Sequence, residues 1–363
     1  METWLVTGGA GFIGSNFVSH VRQEGLARVV NLDKLTYAGH RESLDRVAGD
    51  ADHLFIEGDI GDRRLVAEIF ATHRPQAVIH FAAESHVDRS IQDPTAFLTT
   101  NVLGTMTLLD AALAHWRTLT PEAAQAFRFL QISTDEVFGS LGPAEHPFTE
   151  EHPFAPNSPY AASKAGADHL VRAYHETYGL PTLTTHCSNN YGPYQYPEKL
   201  IPLMILNARR KEALPVYGDG RQVRDWLHVD DHCEALCAVL ARGRPGSVYN
   251  IGGNCERGNL DLIGQLCAAL DLALPEGAPH GRLIRHVTDR PGHDRRYAID
   301  AGKMRRELNW EPRVSLAEGL KHTVNWYLAH DAWAGSVCAK GHAQWMQAQY
   351  ADRVAQTVGE GRA

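Results

Sequence analysis

Residues 4–14 read Trp4-Leu5-Val6-Thr7-Gly8-Gly9-Ala10-Gly11-Phe12-Ile13-Gly14. A short apolar run enters a turn in which glycine recurs every third residue, at 8, 11 and 14. The pattern predicts a strand over 4–7 and a helix over 11–24. Glycines lacking Cβ let the backbone turn tightly and approach a ligand. The following helix offers free N–H groups and a positive dipole end to a pyrophosphate. Asp33 lies 19 positions beyond Gly14, at the end of a second strand expected over 28–32. Its carboxylate can accept from a ribose diol and repel a 2′-phosphate, which favours NAD over NADP.

Outward from this stretch, strand-like and helix-like segments alternate. Strands are expected over 53–57, 77–81 and 127–132, and helices over 63–73 and 101–116. Short apolar strands alternating with helices predict an α/β fold, a Rossmann-type doubly wound parallel sheet. After about residue 187 turn-rich segments break the pattern, with one more strand over 247–251 and helices over 259–270 and 301–308. The expectation is a smaller mixed α/β substrate-binding lobe built from several excursions. The division is 1–187 and 228–253 for the NAD-binding domain, 188–227 and 254–350 for the lobe, and 351–363 as a polar tail.

With 363 residues, 44% apolar and 21% charged, the chain has an ordinary globular composition. A net charge of −8 with no basic block speaks against nucleic acid. No uninterrupted apolar run reaches membrane-spanning length, and the N-terminus enters a strand without a basic leader region. The six cysteines form no C-x-x-C pair, and Cys233 and Cys237 at helical spacing read as core. Reduced thiols and a cytoplasmic location are expected. The cluster His228-Val229-Asp230-Asp231-His232 fits no H-E-x-x-H pattern, so no metal is expected.

Two further stretches carry chemistry: Ser133-Thr134-Asp135-Glu136 and Tyr160-Ala161-Ala162-Ser163-Lys164. On a helix, Tyr160 and Lys164 share one face. A Lys⁺ beside a phenol lowers its pKa from about 10, giving a base for a hydroxyl proton. Alcohol oxidation needs that base and a hydroxyl partner, but not the additional pair Asp135-Glu136. Asp59-Ile60 is placed to meet an adenine, and Ala82-Ala83-Glu84-Ser85 to pass the cofactor.

Together with Asp33-Lys34-Leu35-Thr36 and the run from His80 to Asp88, these motifs resemble an extended short-chain dehydrogenase/reductase. Thr134-Asp135-Glu136 narrows the resemblance to the nucleotide-sugar 4,6-dehydratases. It covers residue 1 to about 350, including Gln344-Trp345 and Tyr350. It implies a hydro-lyase that carries NAD as its own oxidant and converts dTDP-glucose to the 4-keto-6-deoxy sugar, in deoxysugar (for example rhamnose) biosynthesis.

The implied catalytic set is Thr134, Asp135, Glu136, Tyr160 and Lys164. Tyr160, Lys164 and Thr134 serve oxidation at C4. Glu136 then takes the C5 proton, Asp135 protonates the leaving 6-hydroxyl, and hydride returns to C6. Two carboxyls in one desolvated site divide their titration, and which one holds the proton is not fixed by sequence. The resemblance assigns Gly8, Gly11, Phe12, Ile13, Gly14, Asp33, Lys34, Leu35, Thr36, Asp59, Ile60, Ala82, Ala83, Ser85, Thr100, Tyr160, Lys164 and Asn190 to NAD. It assigns Ser85, Thr134, Asn189, Lys199, Leu200, Pro215, Val216, Tyr217, Arg224, Asn259, Asp289, Arg290, Pro291, Gly292 and His293 to the sugar nucleotide.

Phe138 departs from the family's usual Tyr, and 139–150 is a loop without close correspondence. A homodimer through helices over 101–116 and 163–178 is implied. An alternative on the same scaffold is a sugar-nucleotide C4-epimerase, which has no use for both acids. A catalytically silent NAD-binding sensor is the reading that these five residues argue against.

Overall fold

The computed structural model describes residues 1–289 and 293–339. The chain begins with β1 (Thr3–Thr7), α1 (Phe12–Gln23), β2 (Arg28–Asp33), β3 (His53–Glu57), α2 (Arg63–His73) and β4 (Ala77–His80). It continues through α3 (Val87–Gln92), α4 (Pro94–Phe97), α5 (Thr105–Trp116), α6 (Pro121–Ala126), β5 (Arg128–Thr134), α7 (Pro159–Tyr178) and β6 (Thr182–Cys187). Next come β7 (Asn189–Tyr191), α8 (Leu200–Arg209), β8 (Leu214–Tyr217), β9 (Val223–His228), α9 (Val229–Arg242) and β10 (Val248–Ile251). The last described elements are β11 (Glu256–Gly258), α10 (Asn259–Ala273), β12 (Ile284–Val287), α11 (Gly302–Leu308), α12 (Leu316–Ala329) and α13 (Asp331–Ala339).

Seven strands form one parallel sheet in the order β10-β6-β5-β4-β1-β2-β3. The chain leaves β1 toward β2 and β3, then crosses back to β4 and onward to β5, β6 and β10. The switch point therefore lies between β1 and β4, where a crevice opens beyond the carboxyl ends of doubly wound sheets. Helices cover both faces, so strands such as β4 are buried throughout. The strand β6 was absent from the sequence reading. Its segment Thr-Leu-Thr-Thr-His-Cys is polar by composition yet buried at all positions. The branched Thr side chains suit a pleated strand.

Helix α7 starts where local chemistry places it. Pro159 occupies its first turn, and the Ser158 hydroxyl accepts from the Ala161 N–H at 3.1 Å. Gly179, at φ 75°, ends it. That start is four residues earlier than the 163 expected, and it carries Tyr160 and Lys164 on successive turns.

The lobe has a three-stranded sheet, β11-β9-β7, and a parallel pair, β12-β8. Its core joins α8, α10, α12 and α13 through residues such as Ile205, Leu266, Leu320 and Trp333. Met304 and Leu308 of α11 instead join the core of the large sheet. Helix α4, a π-helical turn over Leu98–Gly104 and α5 form one continuous 23-residue helix. By length and composition it is apolar enough to cross a membrane, but half of its apolar window is buried in the fold, where it packs on α2 and α7. The segment after β5 forms a strap to the lobe's last loops. Leu141 N–H donates to the Arg296 carbonyl at 3.0 Å, Phe148 N–H to Ala298 at 2.9 Å, and Asp300 N–H to Phe148 at 2.8 Å.

Candidate active site

A cleft of about 320 Å³ lies along the strand ends, within the size range of small-molecule sites. At one end the β1–α1 turn is built of backbone. Gly8 sits at φ +73°, and a Cβ there would lie 2.4 Å from the Ala82 N. A Cβ on Gly14 would lie 2.3 Å from the Gly8 carbonyl oxygen. Gly11 caps α1 without any side-chain hydrogen bond, and the first turn has no acidic residue. Its N–H groups are thus left for an anion, which is the fit a dinucleotide pyrophosphate requires.

Asp33, buried at the end of β2, accepts from Ala10 N–H and Leu35 N–H, both at 2.8 Å. Burial raises its pKa above the ordinary carboxylate value, against those N–H groups. Lys34 pairs with Asp59 at 2.6 Å on the exposed rim. Phe12, Ile13, Thr36, Ile60, Ala82, Ala83, Ser85, Thr100 and Asn190 all line this cleft, whereas Leu35 does not.

At the other end the cleft is lined by Thr134, Asp135, Glu136, Tyr160, Lys164, Cys187, Asn189 and Lys199. Thr134 ends β5, and its hydroxyl accepts from the Glu136 N–H at 3.3 Å, starting a 3₁₀ turn that sets both acids in the cleft wall. Asp135 is 3% exposed, and its Oδ2 has no hydrogen-bond partner among the described residues. Burial, then the neighbouring charges of Glu136 and Asp225, drive its pKa well above the ordinary value. Asp135 is therefore the carboxyl pushed toward holding a proton.

Tyr160 differs from expectation. Lys164 was expected to lower its pKa, but burial and the Glu136 charge push it well above 10. The Lys164 ammonium is turned to the Ile132 carbonyl at 2.7 Å, while the phenol meets the carboxylates and the Thr134 hydroxyl. Burial in turn lowers the Lys164 pKa.

The remaining assigned residues belong to the lobe, and among the described residues none of them lines that cleft. Leu200 opens α8, and Pro215, Val216 and Tyr217 lie on β8. Arg224 is a buried strand residue, with its guanidinium 4.3 Å over the Tyr297 ring and a hydrogen bond to the Asp294 carbonyl at 2.9 Å. Its charge reaches Asp135, so β9 brings it close to the acid pair. Asn259 opens α10. Asp289 accepts from Gln222 at 2.8 Å and meets His293 at 2.6 Å, and the His293 ring stands against Tyr217 at 6.1 Å. Arg290, Pro291, Gly292, Gln344, Trp345 and Tyr350 lie outside the described residues.

Other residues escaped the sequence reading. Glu198 lines the cleft with its side chain 1% exposed, 3.4 Å from His86 and 3.6 Å from Arg89. The Arg89 guanidinium lies 3.9 Å over the Tyr37 ring. Asn101 clamps both backbone groups of Glu84 and donates to Ser163 at 2.8 Å. Tyr297 feels the Glu136 charge. The histidine cluster also divides. His232 is buried against Asn190 Oδ1 at 2.9 Å, while His228, Asp230 and His322 bring their ligand atoms within 4.8 Å of one another.

Comparison with known proteins gives a consistent picture. A family model described as GDP-mannose 4,6 dehydratase matches residues 5–323. The chain is 59% identical over 339 residues to a dTDP-glucose 4,6-dehydratase of Xanthomonas campestris, covering 93% of this chain and 96% of that one. It is 51% identical over 360 residues to dTDP-glucose 4,6-dehydratase 1 of Escherichia coli, covering 96% and 99%. Among solved structures, the dTDP-glucose 4,6-dehydratase of Streptomyces venezuelae with NAD bound superposes with a TM-score of 0.84 at 48% identity, covering 92% and 99%.

Proposed function

The chain belongs to the nucleotide-sugar 4,6-dehydratase family, and on that premise we propose that it converts dTDP-glucose to dTDP-4-keto-6-deoxyglucose by loss of water. The observation that carries this is the acid pair. Two adjacent carboxyls follow β5 directly into the cleft, and one of them, Asp135, is held toward its protonated form.

NAD bound along Gly8–Gly14 and Asp33 supplies the two-electron oxidant and, at the end, the reductant. Tyr160 takes the proton of the 4-hydroxyl, and Thr134 hydrogen-bonds the 4-oxygen. A phenol held so high releases its proton only with positive charge nearby, and α7 places Lys164 one turn away. The 4-keto group acidifies C5, and the Glu136 carboxylate takes that proton. Asp135 delivers its proton to the 6-hydroxyl, which leaves as water. In a division of labour by environment, the buried acid donates and its more open neighbour accepts. Arg224, Lys199 and the Tyr217–His293 cluster are assigned to the nucleotide, since guanidinium forks and ammonium groups suit a diphosphate.

Leu98 and Leu103 are 53% and 52% exposed on the 23-residue helix. We infer that a second copy covers this face, giving a homodimer through α5 and α7, and a gel-filtration mass of one chain would refute it. Six unbridged cysteines support a reducing, cytoplasmic compartment.

Incubation with dTDP-glucose in D₂O tests the reaction. The 4-keto-6-deoxy product should form with deuterium at C5. A 4-epimer without deuterium would replace this reading with the epimerase.

A further inference from the structure

Ser133 and Asp168 have no part in the chemistry above, yet a short contact joins them. The Ser133 hydroxyl donates to Asp168 Oδ2 at 2.5 Å. Ser133 precedes Thr134 at the end of β5, and Asp168 lies on α7 one turn beyond Lys164. From β6, His186 Nε2 meets the same oxygen at 3.2 Å. All three residues are buried. The other oxygen, Oδ1, has no hydrogen-bond partner among the described residues. A buried carboxylate left half-satisfied is costly unless a cation lies nearby, and helix spacing puts Lys164 on the same face.

Lys164 faces titratable groups from several elements. Tyr160 and Asp168 share its helix, Cys187 approaches from β6 and His80 from β4. Burial pushes the Cys187 thiol up to about 12 and the His80 ring down to about 3, so both are neutral near pH 7. Tyr160 is held protonated. His186, on β6, faces Asp168 rather than Lys164. Among the groups whose charge acts on Lys164, that leaves Asp168 as the anion that opposes the desolvation of a buried ammonium.

We propose that Asp168 is a positioning residue, a buried counter-charge that keeps Lys164 an ammonium and, through Ser133, ties the end of β5 carrying Thr134, Asp135 and Glu136 to the helix carrying Tyr160. The proposal rests on the roles assigned to Tyr160 and Lys164 above. It connects the two catalytic stretches through one carboxylate that touches neither substrate nor cofactor.

The test follows the Lys164 charge directly, by ¹³C NMR titration of lysine-labelled, NAD-loaded enzyme, with the signal identified by its loss in Lys164→Arg. In Asp168→Asn the Lys164 signal should titrate about one pH unit or more below wild type. The alkaline limb of kcat should move down with it, and Asp168→Glu should restore both. Should Asp168→Asn not fold, Asp168→Ser carries the same expectation. Ser133→Ala keeps the carboxylate and cuts the tether, so Lys164 should titrate as in wild type while kcat falls about tenfold, the loss of one buried hydrogen bond. A Lys164 titration unmoved in the neutral variants, or a general loss of kcat with the alkaline limb in place, overturns the counter-charge. An unchanged kcat in Ser133→Ala overturns the tether. Because the titration needs no turnover, a wild type unable to dehydrate dTDP-glucose would defeat the functional reading alone.

Discussion

The two ends of the cleft are built from different materials. The glycine end is made of close-packed backbone at Gly8 and Gly14, one buried carboxylate, Asp33, held by backbone N–H groups, and an exposed ion pair, Lys34–Asp59. The acid end is made of buried ionisable side chains. There Asp135 and Tyr160 are pushed up, Lys164 down and Cys187 up to about 12. Shape governs the first end and charge governs the second. Substitutions at the glycine end should therefore change affinity, and those at the acid end should change rate and its dependence on pH.

The sharpest test of that contrast is Tyr160→Phe. Loss of the base should lower kcat by about a thousandfold, within the range for a general base. NAD affinity by calorimetry should stay nearly constant, and a collapse of affinity would break the separation of roles. Glu136→Gln should lower product formation by about a hundredfold and still permit the first oxidation. Single-turnover absorbance should then show reduced nicotinamide accumulating, whereas normal product formation would remove Glu136 from the elimination.

Gly14→Val pushes a side chain into the Gly8 carbonyl. NAD binding should weaken by about tenfold or more, equivalent to about 1.4 kcal/mol, with kcat at saturating NAD little changed.

Smaller still is a stability effect at Asp135. Burial raises its folded pKa above the unfolded value, so unfolding releases a proton once the pH exceeds the ordinary Asp value of 3.8. Stability falls as pH rises from that value toward the folded pKa. Asp135→Asn removes this penalty. It should melt about 2 °C or more higher than wild type at pH 8, with the gain fading toward pH 4. The smallest effect belongs to Lys34→Ala. An exposed ion pair contributes about 0.2–1 kcal/mol, so the melting temperature should move by no more than about 2 °C.

The glycine end was legible in the sequence for the same reason that it is simple. Its signal is the spacing of Gly8, Gly11 and Gly14 and the distance to Asp33, all local in the chain. The strands β1 to β5 were legible because they are apolar. The strand β6 was not, since three of its six residues are threonine and only its neighbours bury them. At the acid end the residue types were readable but their environment was not. Nothing local to Tyr160 announces that Glu136 raises its pKa or that Lys164 turns to Ile132.

Glu198, His86 and Arg89 converge from separate segments, and no spacing in the sequence records that. Phe138, which departs from the family's Tyr, packs 5.2 Å from Phe148 and 4.8 Å from His186 in a buried aromatic cluster.

The strap that joins 141–148 to 296–300 also bears on how the protein is made. Every residue assigned to catalysis has left the ribosome once Lys164 has emerged, and the strands that carry them can pair soon after. The segment that continues from the Asp135–Glu136 turn is fastened, at Leu141 and Phe148, only when Arg296, Ala298 and Asp300 arrive. Contacts so distant in sequence form late, because the intervening loop must close first. A chain truncated after β6 would own the whole catalytic set without the structure that aims it, so activity is a property of the finished chain.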